Sequence, residues 1–105
     1  MLVALTAIGI VLQTAVVRAD AIDGEWCSGD GMRLSIHGEK ITTPGGRQIQ
    51  GNYSRHAIDY VVPPGEPGSG EIMNVILRSE YLAMSRQGPA DGPQREWRRC
   101  KEGIS

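Results

Sequence analysis

The sequence predicts an all-β domain: a small antiparallel barrel (or sandwich) of about seven short strands, preceded by an N-terminal signal helix. Three observations carry this. Beyond residue 20, apolar residues recur with a period of two and never at helical spacing over three turns. Fourteen glycines and six prolines break the 105 residues into short runs, the punctuation of an all-β chain. Glu25-Trp26-Cys27 near the start is echoed by Glu96-Trp97-Arg98-Arg99-Cys100 at the end, so a first and a last strand that pair with each other would close the sheet and hide its edges.

Leu2 to Leu12 is an apolar run broken only by Thr6 and Gly9, and Val17-Arg18-Ala19 puts small side chains where a signal peptidase reads. Residues 1–19 are therefore read as a cleaved signal peptide and 20–105 as one domain, periplasmic or secreted. A membrane anchor is the rival. The run falls short of the ~20 residues needed to cross a bilayer, and Gln13 and Thr14 interrupt it.

In the domain, Met32 to Ile36 alternates apolar and polar as a half-buried strand does, with a tight turn at His37-Gly38-Glu39-Lys40. Ile41 to Thr43 resumes extended structure, Pro44-Gly45-Gly46 turns, and Arg47 to Gln50 alternates again. Gly51 marks a bulge before Asn52-Tyr53-Ser54. From His56 to Val62, residues Ile58, Tyr60 and Val62 share one parity, Asp59 and Val61 the other. Pro63 to Gly70 is a loop, since proline cannot donate to a ladder. Glu71 to Arg78 is the most apolar strand, Tyr81 to Arg86 follows a turn at Ser79-Glu80, Gln87 to Gln94 is a second loop, and Arg95 to Cys100 ends the sheet.

A domain this small has a marginal core, and this one has no phenylalanine. Its two cysteines, Cys27 and Cys100, match no zinc spacing and are read as a disulfide. Closing so long a loop stabilises the folded state by about 4 kcal/mol on the chain-entropy model. In each terminal strand Trp and Cys differ by an odd number of positions. A bridge on one face therefore sends Trp26 and Trp97 to the other, where they are expected to plug one end of the barrel.

Charge excludes some functions. Eleven basic residues less Arg18 leave ten against twelve acidic ones, which gives no electrostatic case for nucleic acid or an anionic membrane. The densest polar cluster is Tyr53, Arg55, His56, Asp59 and Tyr60. Ser54 lies two residues from His56 on the same face, but His56 and Asp59 face opposite sides of an extended strand. A small hydrolase built on Ser54, His56 and Asp59 is thus a remote reading, and no catalytic residue is assigned. Asp23, Glu25 and Asp30 lie among glycines, without EF-hand spacing, and read as turn chemistry; no metal or cofactor is expected. In Ile72 to Leu77 both parities are largely apolar. With Met73, Val75 and Leu77 in the core, Ile72 and Ile76 point outward beside Val61, as a partner surface does.

The motifs Gly24-Glu25-Trp26-Cys27, Thr43-Pro44-Gly45-Gly46, Gly51-Asn52-Tyr53-Ser54-Arg55-His56, Tyr60-Val61-Val62-Pro63, Gly65-Glu66-Pro67-Gly68 and Trp97-Arg98-Arg99-Cys100 occur in an order that resembles small uncharacterised exported proteins of alphaproteobacteria. The resemblance implies a periplasmic location and transfers no site residues.

The leading expectation is a non-catalytic binding or accessory protein, possible versions including an inhibitor of an exported enzyme. It would touch a protein or cell-envelope partner through loops Pro63–Gly70 and Gln87–Gln94 or the Ile72/Ile76 face, with Val61, Tyr53, Arg55 and His56 as further binding residues. The alternative is a small-ligand carrier with an apolar lumen, which a barrel of this length tends to fill with its own side chains.

Overall fold

The computed structural model describes residues 21–101; the signal segment expected over 1–19 lies outside them. Nine strands form one antiparallel sheet: β1 (Gly24–Cys27), β2 (Arg33–His37), β3 (Lys40–Thr42), β4 (Gln48–Gln50), β5 (Asn52–Ser54), β6 (Ala57–Val61), β7 (Ile72–Ser79), β8 (Leu82–Gln87) and β9 (Gln94–Arg99). Their spatial order is β4-β3-β2-β1-β9-β8-β7-β6-β5, an up-and-down meander in which only the β1–β9 contact joins strands distant in sequence.

The sheet's two edges, β4 and β5, are consecutive in the chain and separated only by Gly51. The stretch 48–54 pairs first with β3 (Ile41↔Ile49) and then with β6 (Tyr53↔Ile58). Gly51 is thus the point at which one bent strand changes partners and brings the barrel nearly to closure, rather than the bulge its sequence suggests. A Cβ there would stand 2.6 Å from the Asp59 backbone oxygen and 3.2 Å from the Ile41 side chain, so only glycine permits this approach. The same change of partner divides one sequence run into two strands, which is part of why nine are observed where about seven were expected.

The β1–β9 seam is short, with Trp26↔Arg99 and Cys27↔Arg98 as its register pairs. Cys27 and Cys100 are disulfide-bonded across it, with Cα atoms 5.1 Å apart, and the Cys100 amide donates to the Glu25 carbonyl at 3.0 Å. The covalent link lies where the ladder is weakest. It constrains nearly the whole domain as one loop.

Inward parity builds the core. Leu34, Ile36, Ile41, Ile58, Tyr60, Val62, Val75, Ala83, Trp26 and Trp97 are all buried, and Met73 and Leu77 pack against them. Both indoles face inward and the disulfide outward, as the odd Trp-to-Cys spacings require. They do not together plug one end. Ile22, fully buried, closes the barrel before β1: its amide donates to the Arg55 carbonyl at 2.8 Å and its carbonyl accepts from Trp26 Nε1 at 2.9 Å. Trp97 instead bonds through Nε1 to Ser85 Oγ at 3.0 Å, a partner that a buried indole N–H requires.

The meander sorts its connections by end. The turns after β2, β5 and β7 share the end that Ile22 closes. The connections 28–32, 43–47, 62–71 and 88–93 gather at the other, which is the mouth.

Candidate functional site

The mouth holds a cavity of about 320 Å³, lined by Met32, Pro44, Gly45, Tyr60, Val62, Gly65, Glu66, Pro67, Met73, Gln87, Arg95 and Trp97. That is near the lower limit for small-molecule sites, roughly 300–1,000 Å³. The barrel wall supplies the floor: Tyr60 and Met73 are cross-strand partners on β6 and β7, and Trp97 is the central inward residue of β9.

The loop 62–71 forms the rim and is held in shape by its own backbone. Val62 N donates to Glu71 O at 2.8 Å, Gly70 N to Val62 O at 2.9 Å, and Glu71 N to Gly68 O at 2.8 Å. The Gln87 side chain ties this loop to β8, its Nε2 donating to the Pro67 carbonyl at 3.2 Å and to Glu71 Oε1 at 3.1 Å. A Cβ on Gly68 (φ +82°) would fall 1.5 Å from that nitrogen, so position 68 needs glycine for both its backbone and its space. Across the mouth, Arg47 donates to the Pro64 carbonyl.

Two charged residues line the cavity, and their environments differ. Arg95 lies 6.0 Å from the Trp97 ring centroid and is matched by Asp30, to which its Nη1 donates at 2.8 and 2.7 Å. The hydrogen bond from Ser28 Oγ (2.5 Å), then those from Arg95, hold the Asp30 carboxyl below its ordinary range. Glu66 accepts a hydrogen bond from the buried Thr43 hydroxyl at 2.6 Å and has no cationic partner within ion-pair distance among the described residues.

Tyr60 is 3% exposed, and no hydrogen bond to its hydroxyl occurs among the described residues. Burial pushes its phenol well above the ordinary value, and the Glu66 charge adds to this. The group is a neutral hydroxyl buried in the cavity wall with no bond to a described residue, an arrangement folded proteins generally avoid.

The polar cluster read from sequence is dispersed. Tyr53 donates through its hydroxyl to Asp23, Asn52 to Asp59 at 2.8 Å, and Ser54 Oγ to the Ala57 carbonyl at 3.1 Å. His56 falls in the exposed β5–β6 turn rather than at the start of a strand. No hydrogen bond joins Ser54, His56 and Asp59 to one another among the described residues. Asp23, Glu25 and Asp30 also separate: Asp23 accepts from the Gly38 amide at 2.9 Å, and Glu25 from Ser35, Arg33 and His37. No group of three His, Cys, Asp or Glu stands ready for a metal among the described residues.

The outward apolar face is split. Val61 and Ile72 are direct cross-strand partners, 55% and 47% exposed, and the mouth loops leave them uncovered. Ile76 is half-buried between its partners Ala57 and Met84.

The sequence reading missed Glu66 and Arg95 as site residues. Glu66 carried no signal, since a carboxylate among prolines and glycines reads as solvated. Arg95 did carry one: it shares the parity of Trp97, and a two-residue period places both inside. No protein-family model, no curated protein and no solved structure matches this chain.

Proposed function

We propose that this chain is a non-catalytic binding protein of the periplasm or extracellular space that seats a small ligand in the mouth of its barrel. The observation that carries this reading is the buried Tyr60 hydroxyl, without a partner among the described residues, in the wall of a cavity of about 320 Å³. A lone polar group in an apolar wall fixes the orientation of a bound molecule, and a few such groups are what ligand sites use for specificity. The rim supports the same reading, because loop 62–71 is shaped before any ligand arrives and a preformed site loses little entropy on binding.

The test is a native mass spectrum of the protein purified gently from the compartment of its producing cell. Expected is the mass of the disulfide-bonded domain plus a small molecule, released on mild denaturation. A bare domain mass, unchanged in the presence of an extract of that compartment, counts against the reading.

A second reading is favoured by Val61 and Ile72. A cross-strand apolar pair exposed beside the mouth loops suits a protein or cell-envelope partner. Replacing both by serine should abolish such an interaction and leave stability within about 0.5 kcal/mol, as for other surface changes. Unchanged partner capture by that double variant excludes this face.

A further inference from the structure

Resting on the small-ligand reading, we propose that the mouth pocket takes a small protonated amine carried on an apolar body. Glu66 is its counter-charge, the Tyr60 hydroxyl its second hydrogen-bond acceptor, and the Trp97 indole the face against which the apolar body lies.

The argument begins with charge. Of the two charged residues lining the pocket, Arg95 is matched by Asp30 through contacts of 2.8 and 2.7 Å. Among the described residues Glu66 is engaged by a neutral hydroxyl, the Thr43 Oγ1 donor at 2.6 Å. The pocket lining therefore holds one negative charge without an ionic partner among the described residues, and a partly buried carboxylate attracts a cation more strongly than one in water does. Among the lining residues the one guanidinium, that of Arg95, is already paired with Asp30, so an anionic ligand finds no open counter-charge in the pocket wall.

Hydrogen bonding agrees. An ammonium group carries three donors and no acceptor. Glu66, with one oxygen already bonded, and the Tyr60 oxygen, which has no bond among the described residues, offer acceptor capacity to two of them. Tyr60 adds aromatic surface of the kind that attracts cations, whereas the Trp97 ring, with Arg95 already 6.0 Å from its centroid, contributes apolar surface alone. Elsewhere in the wall Met32, Val62 and Met73 are apolar and adaptable, and the Gln87 amide donates to the rim loop, which suits a hydrocarbon body better than a polyhydroxylated one.

The probes are 2-phenylethylamine, 2-phenylethanol and phenylacetate, which share one body and differ in head-group charge. Each is titrated into the disulfide-bonded domain at pH 7 while the indole N–H resonances of Trp97 and Trp26 are followed by NMR. The amine should move the Trp97 resonance, leave that of Trp26 in place, and bind at least tenfold more tightly than the alcohol. Glu66→Gln, which keeps an acceptor for Thr43, should remove that tenfold difference without changing the spectrum of the free protein. Tyr60→Phe should weaken amine binding several-fold. If the alcohol or phenylacetate moves Trp97 at least as tightly as the amine, or if Glu66→Gln binds the amine unchanged, the amine assignment fails and the small-ligand reading survives. If none of the three moves Trp97, the amine assignment fails, and the native mass spectrum decides the small-ligand reading separately.

Discussion

The Arg99 guanidinium carbon lies 4.1 Å from the centre of the Trp26 ring, and the same guanidinium fastens three parts of the chain. It donates to three backbone carbonyls: Nη2 to that of Ala21 at 2.9 Å, Nη1 to that of Asp23 at 2.5 Å, and Nε to that of Glu80 at 2.8 Å. Arg99 is the inward residue of β9 at the end Ile22 closes, so it stacks on one core aromatic while holding the segment that covers it. Only a planar fork with several fixed donors can do both.

Arg99→Lys should therefore behave much like Arg99→Ala. Each is expected to destabilise the domain by about 2–3 kcal/mol, the scale of charged hydrogen bonds lost together with a stacked cation. Denaturant unfolding measures the loss, and amide exchange at Ile22 should accelerate more than at Val75. A lysine variant as stable as the native protein would show that charge near Trp26 suffices and the carbonyl contacts contribute nothing.

Gly51→Ala tests how the barrel closes. Its methyl group would meet the Asp59 backbone oxygen at 2.6 Å, an atom of β6 that cannot step aside without moving the ladder. The expected cost is about 1–3 kcal/mol, typical of overpacking, with the first loss of exchange protection in β4 and β5. At Gly46, where φ is +90° but an added Cβ meets nothing within 4 Å, the same change carries only backbone strain. If the two variants unfold at the same denaturant concentration, steric closure at Gly51 is not the controlling feature.

Much of this architecture was legible in the chain. Ile58, Tyr60 and Val62 share a parity and are all buried; Met73, Val75 and Leu77 face the core as their spacing requires. The two Trp–Cys echoes located the closing seam because alternation and a covalent bridge leave few ways to join them. Contacts through loops and side-chain reach were hidden. Nothing local says that Ile22 rather than the tryptophans closes an end, because its burial depends on a turn 33 residues away, where Arg55 presents its carbonyl. The polar run 53–60 looked like a cluster in one dimension, yet strand alternation scattered it, and its one interior polar member, Tyr60, belongs to the mouth.

Acid should loosen the outer wall. Partial burial pushes the Glu25 carboxyl up, but hydrogen bonds from Ser35, Arg33 and His37 outweigh this and hold it below its ordinary 4.5. Asp30 is held below its ordinary 3.8 by Ser28 and Arg95. A carboxyl with a lower pKa folded than unfolded binds fewer protons when folded, so its contribution is complete above the unfolded value and is lost as pH falls through the folded one. Stability should thus be level down to pH 4.5 on account of these groups and decline below it. Glu25→Gln should flatten part of that decline. An acid limb identical in native and Glu25→Gln proteins would remove Glu25 from the account.

Tyr60 and Ser85 make opposite predictions from the same physics. Ser85 Oγ is the acceptor for the buried Trp97 N–H at 3.0 Å, so Ser85→Ala leaves a donor stranded in the core and should cost about 1–3 kcal/mol. The Tyr60 hydroxyl has no partner among the described residues, so Tyr60→Phe removes a buried group that no described residue satisfies. Its stability should be equal to the native protein's or higher, by up to about 1 kcal/mol. A residue that lowers stability where it stands is one whose hydroxyl answers to something other than folding, which is how binding sites depart from the best-folding sequence. Thermal unfolding of the two variants side by side decides the matter. If Tyr60→Phe is destabilised as much as Ser85→Ala, the hydroxyl serves the fold, and the mouth loses the feature that marks it as a site.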